Sequence, residues 1–417
     1  MIGRQASWKQ LVDTLTWVER ASPFYRDKLA AAGISAAAIR TPEDFRRIPI
    51  TRKTEIPAAE RAQPPFGPLL SVPPERIATV HVSPGPLYIP RTADEPTGVE
   101  ALHESLRRMG VRRDDVAHVT LSYHIMPGGL RLHRAFETFG CRVINGGVGN
   151  SELQVQVARD LGATVYAGTP SFLANLADTA ARLGLEPRRD LRYRLGFSTA
   201  EALTPALRAE LQRRFAIELF NHCGEALIGP LAGECREHAG MHLHEREMWI
   251  ELIDPDNGDP VAPGGVGELV VTQLGERALP LVRYAPGDLY RLFAEPCACG
   301  DPAARVDIIG QVGAIRKIRG VLVHPAQVQA TLETFPGLGR FQIVIDHPEG
   351  ARYERALIRI ACEAGAKTAG LGERVAERLK ANVLIQMEVE LVAPGEVGEP
   401  LIVDRRHASP PAARVVG

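Results

Sequence analysis

Short apolar runs alternate with amphipathic segments between residues 114 and 245 of the 417-residue chain. Five of the runs are brief and rich in β-branched or aromatic residues, a pattern typical of buried strands. These five runs cover residues 116–122, 141–147, 163–169, 193–199 and 217–223. Strands that alternate with helices predict a largely parallel sheet covered on both faces.

Two of the intervening helices have recognisable ends. Ser151 and Gln154 fit the two positions of a capping box, and Leu153 and Leu161 lie at the two ends of the predicted apolar face. Thr204, followed by a proline, fits an N-cap and a first helical position. Both segments are therefore predicted to be helices packed on the sheet.

The pattern changes twice more along the chain. Past residue 245, two β-rich segments flank turn-forming residues, which predicts an antiparallel meander. After residue 313, helical and strand patterns alternate over roughly 100 residues, enough for a compact unit that folds alone. We predict an α/β protein with a large N-terminal domain (1–313), mostly parallel with a β-rich subdomain, and a small α+β C-terminal domain (314–417).

Composition narrows the class of protein. Hydrophobic residues make up 45% and charged residues 24%, and the net charge is −1, so no general field favours nucleic acid or a membrane. No run approaches the roughly 18 apolar residues of a membrane span, and the N-terminus lacks the apolar centre of a signal peptide. Six cysteines, two of them in Cys-x-Cys, argue against a secreted disulfide framework. We therefore expect a cytoplasmic protein without nucleic acid or membrane partners.

The most informative stretch combines residues 279–292 with residues 308–332. Asp288 lies in a Pro-Gly-Asp turn, where a fixed carboxylate could accept two hydrogen bonds from a ribose diol. Taken alone, this turn is an ordinary structural feature. A Lys-x-Arg-Gly segment, Lys317 to Gly320, then opens the predicted C-terminal domain.

The order of these segments resembles the ribose-binding motif and hinge of adenylate-forming (ANL) ligases. Within that superfamily the chain is similar to phenylacetate–coenzyme A ligases along some 380 residues. The segments that carry the resemblance are 22–29, 41–56, 123–144, 168–177, 222–245, 267–284 and 403–406. The resemblance implies a large AMP-binding domain and a small mobile lid.

The resemblance also implies a two-step reaction. A small carboxylic acid attacks the α-phosphate of ATP, with Mg2+ assistance, to give an acyl-adenylate and pyrophosphate. A thiol, coenzyme A or a carrier thiol, then displaces AMP. The resemblance leaves open whether the chain forms a homodimer.

Carried over residue by residue, the resemblance assigns three groups of side chains. The predicted catalytic residues are Glu225, near Mg2+ and the α-phosphate, and Lys317. The predicted nucleotide-binding residues are Ser83, Gly85, Glu201, Asn221, His222, Asp288 and Arg319. The predicted acyl-pocket residues are Tyr123, His124, Gly128 and Gly129. The alternative for Glu225 is a solvated carboxylate at a helix start, and the alternative for His124 is a packed surface histidine.

The chain departs from the family pattern at the phosphate. The family's glycine-rich loop and its lysine correspond to residues 81–91, where two prolines remove amide donors and Arg91 is the candidate cation. The arginine expected after Gly310 is Gln311. The C-terminal catalytic lysine falls on Gly398 or Glu399, and loss of such a charge can cost orders of magnitude in rate.

A separate group of residues predicts a metal site. Cys235, His242, Cys297 and Cys299 provide three thiolates and an imidazole, the ligands of a closed, structural tetrahedral Zn2+ site. Cys-x-Cys-Gly in this place is also common among phenylacetate–coenzyme A ligase-like proteins. His238 and His244 are alternative fourth ligands, and buried thiols with an ordinary turn are the alternative to zinc.

Three functions fit these observations. The first is an AMP-forming ligase that joins an aryl or arylacetic acid to coenzyme A or a carrier thiol. The second is a catalytically impaired relative that binds a nucleotide, an acyl-adenylate or a protein partner, as the altered phosphate loop and missing lysine suggest. The third is an adenylating enzyme with an amine acceptor.

Overall fold

The computed structural model describes residues 7–83, 87–95, 98–275, 277–312, 316–318, 321–323, 325–346, 354–363, 370–383, 385–398 and 401–405. The chain forms two compact units, Met1–Asp307 and Ile308–Gly417. The predicted boundary at Gly313 falls outside the described residues.

The helices, numbered α1 to α12, are Trp8–Ala21, Pro23–Ala31, Pro42–Arg46, Glu55–Ala62, Val99–Met109, Pro127–Phe139, Ser151–Asp160, Pro170–Arg182, Pro187–Asp190, Pro205–Phe215, Pro325–Leu332 and Leu371–Val383. The strands, numbered β1 to β21, are Thr51–Arg52, Ile77–Ser83, Leu87–Thr92, Val116–Val119, Arg142–Asn145, Val165–Gly168, Leu195–Ser198, Glu218–Glu225, Gly229–Glu234, Met241–Leu243, Met248–Ile253, Val266–Gln273, Tyr284–Ala285, Asp288–Leu292, Arg305–Gln311, Arg316–Ile318, Val321–Val323, Leu338–Asp346, Arg355–Cys362, Glu388–Val392 and Ile402–Asp404. Short 3-10 turns occupy Ala36–Ala38, Gly67–Leu69, Pro74–Arg76 and Pro394–Glu396.

The first unit is built on the predicted sheet. Strands β5, β4, β6, β7 and β8 are parallel neighbours in that order, and all five strands predicted from the apolar runs are present. The sheet continues through antiparallel β9 and β10 to β15. The predicted meander is also present, because β11 pairs antiparallel with β12 over the full length of β11. The predicted α/β fold class is confirmed.

Helix α7 differs from its prediction in register. It begins at Ser151, but its N-cap is Asn150, which makes no side-chain capping bond, so the predicted capping box is wrong. The Gln154 amide donates instead to the carbonyls of Gly147 and Gly149, at 3.1 and 2.6 Å. This inward glutamine turns the helix, so that Leu153 is exposed and Val155 is buried.

Helix α10 follows its prediction. The Thr204 hydroxyl accepts a hydrogen bond from the backbone of Leu207, which makes Thr204 the N-cap. Leu211 and Phe215 are buried one turn apart, and they pack in the core that covers one face of the parallel sheet.

The second unit contains the predicted α+β pattern. Strands β18 and β19 are antiparallel neighbours, and β20 and β21 flank them as parallel edge strands. Helix α12 buries Val375 and Leu379 in the apolar core of this unit. Over the described part of the chain, no helix is both long and apolar enough to cross a membrane.

Candidate active site and metal cluster

A cavity of about 170 Å3 opens at the carboxyl ends of the parallel strands in the first unit. In open α/β sheets this edge is where ligands bind. The walls come from α5, the first turns of α6, the ends of β7 and β8, and β9. The lining residues are Leu102, Ser105, Leu121, Met126, Pro127, Gly128, Arg131, Leu132, Phe197, Thr199, Ala200, His222, Cys223, Gly224, Glu225, Ala226, Gly229, Pro230, Ala232 and His244.

Glu225 ends β8 at the partly exposed side of this cavity. Its Oε2 accepts hydrogen bonds from the backbone amides of Leu227 and Ile228, at 2.8 and 3.2 Å. Its Oε1 lies 3.8 Å from the Lys53 ammonium. The two amide bonds hold the carboxylate in one orientation, which leaves Oε1 as the oxygen available to a ligand. Glu225 is therefore a strand-end carboxylate, and the predicted helix-start alternative is wrong.

Asp288 begins β14 and is half-buried. The phenol of Tyr284 is buried, and its pKa is raised by that burial and then by the negative charges of Glu225 and Asp288. The Tyr290 hydroxyl, in the same strand as Asp288, lies 4.0 Å from the sulfur of Cys223, in the same strand as Glu225, so the strands that carry the two carboxylates approach each other. This contact brings together the two segments of the sequence to which the two acidic groups were assigned.

The predicted acyl-pocket residues divide into two groups. Gly128 lines the cavity, and Gly129 packs so closely that a Cβ there would lie 2.2 Å from the Ser122 carbonyl oxygen. Tyr123 and His124 do not line the cavity. The Tyr123 hydroxyl lies 3.4 Å from His133 Nδ1, and the His124 side chain is exposed.

The predicted nucleotide-binding residues on β8 and after β7 have different surroundings. Glu201 is exposed and accepts hydrogen bonds from the amide and hydroxyl of Ser171 at the start of α8, at 3.2 and 2.8 Å. The backbone N–H of Asn221 donates to the Glu234 carboxylate at 2.7 Å. His222 is buried and lines the cavity, with its ring stacked on Phe197 at 3.6 Å.

Two predicted phosphate-loop residues lie in the β2–β3 hairpin. Ser83 is the half-buried last residue of β2, and Arg91 is buried in the partner strand β3. Gly85 and Arg319 lie outside the described residues, as does the side chain of Lys317, whose backbone belongs to β16. Their assignments stay predictions.

The four predicted zinc ligands converge in the first unit. Their ligand atoms all lie within 4.8 Å of one another. The sulfurs of Cys235 and Cys297 are 3.6 Å apart, and the Cys299 sulfur is 3.5 Å from His242 Nε2. Bond lengths of about 2.3 Å for sulfur and 2.0–2.1 Å for nitrogen place tetrahedral zinc ligands about 3.6–3.8 Å apart, so the spacing fits Zn2+.

The alternative fourth ligands have other partners. His238 lies 3.2 Å from both Glu234 and Glu218. His244 Nε2 lies 3.2 Å from the Ser105 hydroxyl. His242 Nδ1 faces Asp301 at 3.9 Å, an arrangement suited to a carboxylate that orients a metal-bound imidazole.

Comparison with known proteins decides the family. Residues 320–400 match the family model described as AMP-binding enzyme C-terminal domain. The chain is 33% identical to the phenylacetate-coenzyme A ligase of Thermus thermophilus, over 93% of this chain and 92% of that protein. The chain belongs to the phenylacetate–coenzyme A ligase family. The Pseudomonas putida phenylacetate-coenzyme A ligase is 35% identical over 74% of this chain and 70% of that protein.

Solved structures agree on the fold of this phenylacetate–coenzyme A ligase family member. An open conformation of 2-hydroxyisobutyryl-CoA ligase, in complex with 2-HIB-AMP and CoA, superposes with a TM-score of 0.85 at 23% identity. The match covers 95% of this chain and 90% of that chain.

Three side chains at the cavity of this family member were not predicted from the sequence. Lys53 lies beside Glu225, within a segment that carries the family resemblance but in which no side chain had been assigned a role. Ser105 and His244 line the cavity from α5 and from the loop after β10. Ser105 had no local motif, and His244 had been considered as a zinc ligand.

Proposed function

We propose that the chain is an AMP-forming ligase that activates an aryl or arylacetic acid as its acyl-adenylate and transfers the acyl group to coenzyme A. Family membership supports the reaction class. The observation that carries the proposal is the largely apolar cavity with the fixed carboxylate of Glu225 at its opening, on a strand that is approached by the strand of Asp288. The cavity takes the acid, and the carboxylates face the nucleotide.

In this proposal each acidic residue has a distinct task. Asp288 accepts hydrogen bonds from the ribose hydroxyls and so fixes the nucleotide. Glu225 presents Oε1 as a ligand for Mg2+, which prefers carboxylate oxygens and supplies charge neutralisation at the phosphates when bound. Lys53, near Glu225, supplies a positive charge on the same side of the cavity.

The proposal includes a structural Zn2+ held by Cys235, His242, Cys297 and Cys299. Four protein ligands leave no open position for a substrate, so zinc would stabilise the fold and take no part in catalysis.

Product analysis tests the proposed function. The protein is incubated with ATP, Mg2+ and each acid of an aryl and arylacetic panel, with coenzyme A, with an amine, or without an acceptor. We expect acyl-CoA and stoichiometric AMP only with coenzyme A, and a Glu225→Gln variant should lose most of the activity. An amide product instead would establish the amine-acceptor alternative.

The absence of the family lysine, whose position falls on Gly398 or Glu399, favours a second candidate, a nucleotide-binding relative that no longer adenylates. Gly398 is exposed, and a Cβ there would lie 3.7 Å from Gln342 Nε2, an ordinary van der Waals contact, so a side chain can be introduced at this position. The Gly398→Lys variant separates the candidates. A large gain of adenylation from an inactive native protein supports the second candidate, whereas an active native protein with no gain supports the first.

A further inference from the structure

The deep end of the cavity is polar, although the rest of its wall is largely apolar. Ser105, His222 and His244 line it and are each at least nine-tenths buried. Ser105 and His222 also lie side by side. A Cβ on Gly233 would be 2.6 Å from the Ser105 hydroxyl and 2.8 Å from His222 Nε2.

His222 presents a hydrogen-bond acceptor to this deep end. Its Nδ1 lies 3.2 Å from the Phe220 carbonyl oxygen, which can only accept, so Nδ1 carries the proton. Burial lowers the pKa of His222 to about 3, so the ring is neutral at pH 7. Nε2 therefore has a lone pair, and it is buried with no hydrogen-bond partner among the described residues.

Ser105 is oriented as a second acceptor. Its hydroxyl lies 3.2 Å from His244 Nε2, and His244 Nδ1 faces the Glu104 carboxylate at 3.5 Å. In the tautomer whose Nδ1 proton is on the side of this carboxylate, His244 Nε2 accepts the hydroxyl hydrogen of Ser105. The lone pairs of the Ser105 oxygen then remain for a ligand. Arg246 anchors Glu104 from the other side at 2.8 Å.

Ser105 and His222 thus offer two neighbouring hydrogen-bond acceptors, and a ligand that pairs with them must carry a hydrogen-bond donor. We propose that Ser105 and His222 recognise a hydrogen-bond donor on the acid, a hydroxyl or amino substituent on its ring. This inference rests on the proposed function, in which the cavity takes the acid. An unsubstituted or alkylated ring would leave His222 Nε2 buried and unpaired, a situation that gives strong discrimination in sites built for a polar group.

Binding and turnover are measured separately, so that this inference and the proposed function fail in different ways. Calorimetry gives the Kd of hydroxy-, amino- and methylphenylacetates substituted at positions 3 and 4, and ATP–pyrophosphate exchange gives kcat/KM for the same acids. We expect the best hydroxy- or amino-substituted phenylacetate to bind about tenfold to a hundredfold more tightly than its methyl isostere. Its kcat/KM in the exchange reaction should be higher by a similar factor. Equal binding of the methyl isostere, or no binding of any acid, overturns the inference.

Single substitutions test whether Ser105 and His222 cause the preference for a hydrogen-bond donor. His222→Phe keeps a flat ring against Phe197 but removes the acceptor, so the donor-to-methyl ratio of Kd values should fall toward one. Ser105→Ala should lower the same ratio, and it tests the inference on its own if His222→Phe does not fold. The matched control is His118→Phe, a buried histidine stacked on Tyr193 away from the cavity lining, which should leave the ratio unchanged. A ratio that survives both cavity variants overturns the inference.

The two failures are then distinguishable. A donor preference in binding without any exchange supports the recognition and contradicts the proposed ligase reaction. Exchange with every acid and no donor preference supports the ligase reaction and overturns the recognition.

Discussion

The proposed zinc site gives the sharpest prediction on stability. Cys235 follows β9, His242 lies in β10, and Cys297 and Cys299 lie in the connection between β14 and β15. A metal ion on these ligands ties that connection to the β9–β10 hairpin. The Cys297→Ser variant removes one ligand and should release the ion.

The size of the effect follows from binding to the folded state alone. Free zinc at 100 times its dissociation constant stabilises the protein by about 2.7 kcal/mol. In a domain of roughly 150–250 residues, 1 kcal/mol shifts Tm by about 2–4 °C, and the shift is smaller in a larger domain. Because the first unit spans Met1–Asp307, we expect Tm to fall by about 5 °C.

Elemental analysis and thermal unfolding test this prediction together. The wild type should hold one zinc per chain, and Cys297→Ser should hold none and melt about 5 °C lower. Cys141→Ser is the matched control, because both cysteines are 8% exposed and Cys141 lies outside the cluster. A zinc-free wild type, or equal Tm losses in the two variants, refutes the reasoning.

Three further predictions concern single side chains. Asp288→Asn should raise KM for ATP about tenfold to a hundredfold, the equivalent of one charged hydrogen bond at about 1.4 kcal/mol per tenfold, whereas an unchanged KM would remove Asp288 from the ribose site. The pKa of His222 is depressed to about 3, so its contribution to stability is complete above about pH 6.5 and is lost as pH falls toward 3. His222→Phe should therefore reduce the loss of unfolding free energy between pH 7 and pH 5, measured with urea, by about 1–2 kcal/mol, and an identical loss contradicts this. Arg283→Met should cost about 3–5 kcal/mol in urea unfolding, because it leaves buried Glu251 without the guanidinium that now lies 3.0 Å away. The double variant with Glu251→Met should recover much of this cost, and a single variant as stable as wild type refutes the argument.

Sequence patterns predicted the fold well where local signals agree with packing. Each apolar run that became a strand of the parallel sheet is short and bounded by turn residues, and Thr204 caps its helix as expected. Helix α7 shows the limit of such reasoning. The Gln154 side chain points inward because it donates to the carbonyls of Gly147 and Gly149 in the preceding loop. The spacing of apolar residues within the helix does not predict hydrogen bonds to a neighbouring loop.

The candidate site was only partly accessible from the sequence. Segment order relative to a known family led to Glu225 and Asp288, and cysteine spacing led to the metal cluster. Ser105 could not be found, because its role depends on a helix that lies beside the loop after β10. Tyr123 and His124 lie between Leu121 and Met126, which line the cavity, but the Tyr123 hydroxyl turns toward His133 and the His124 side chain is exposed.

The central claim is that this chain makes an acyl-adenylate despite its altered phosphate loop and Gly398. ATP–pyrophosphate exchange with a panel of aryl and arylacetic acids tests it most directly, on protein whose zinc content is measured in the same preparation. We predict exchange that depends on the acid and falls sharply in the Glu225→Gln variant. No exchange with any acid, from folded protein that holds zinc, would contradict the claim.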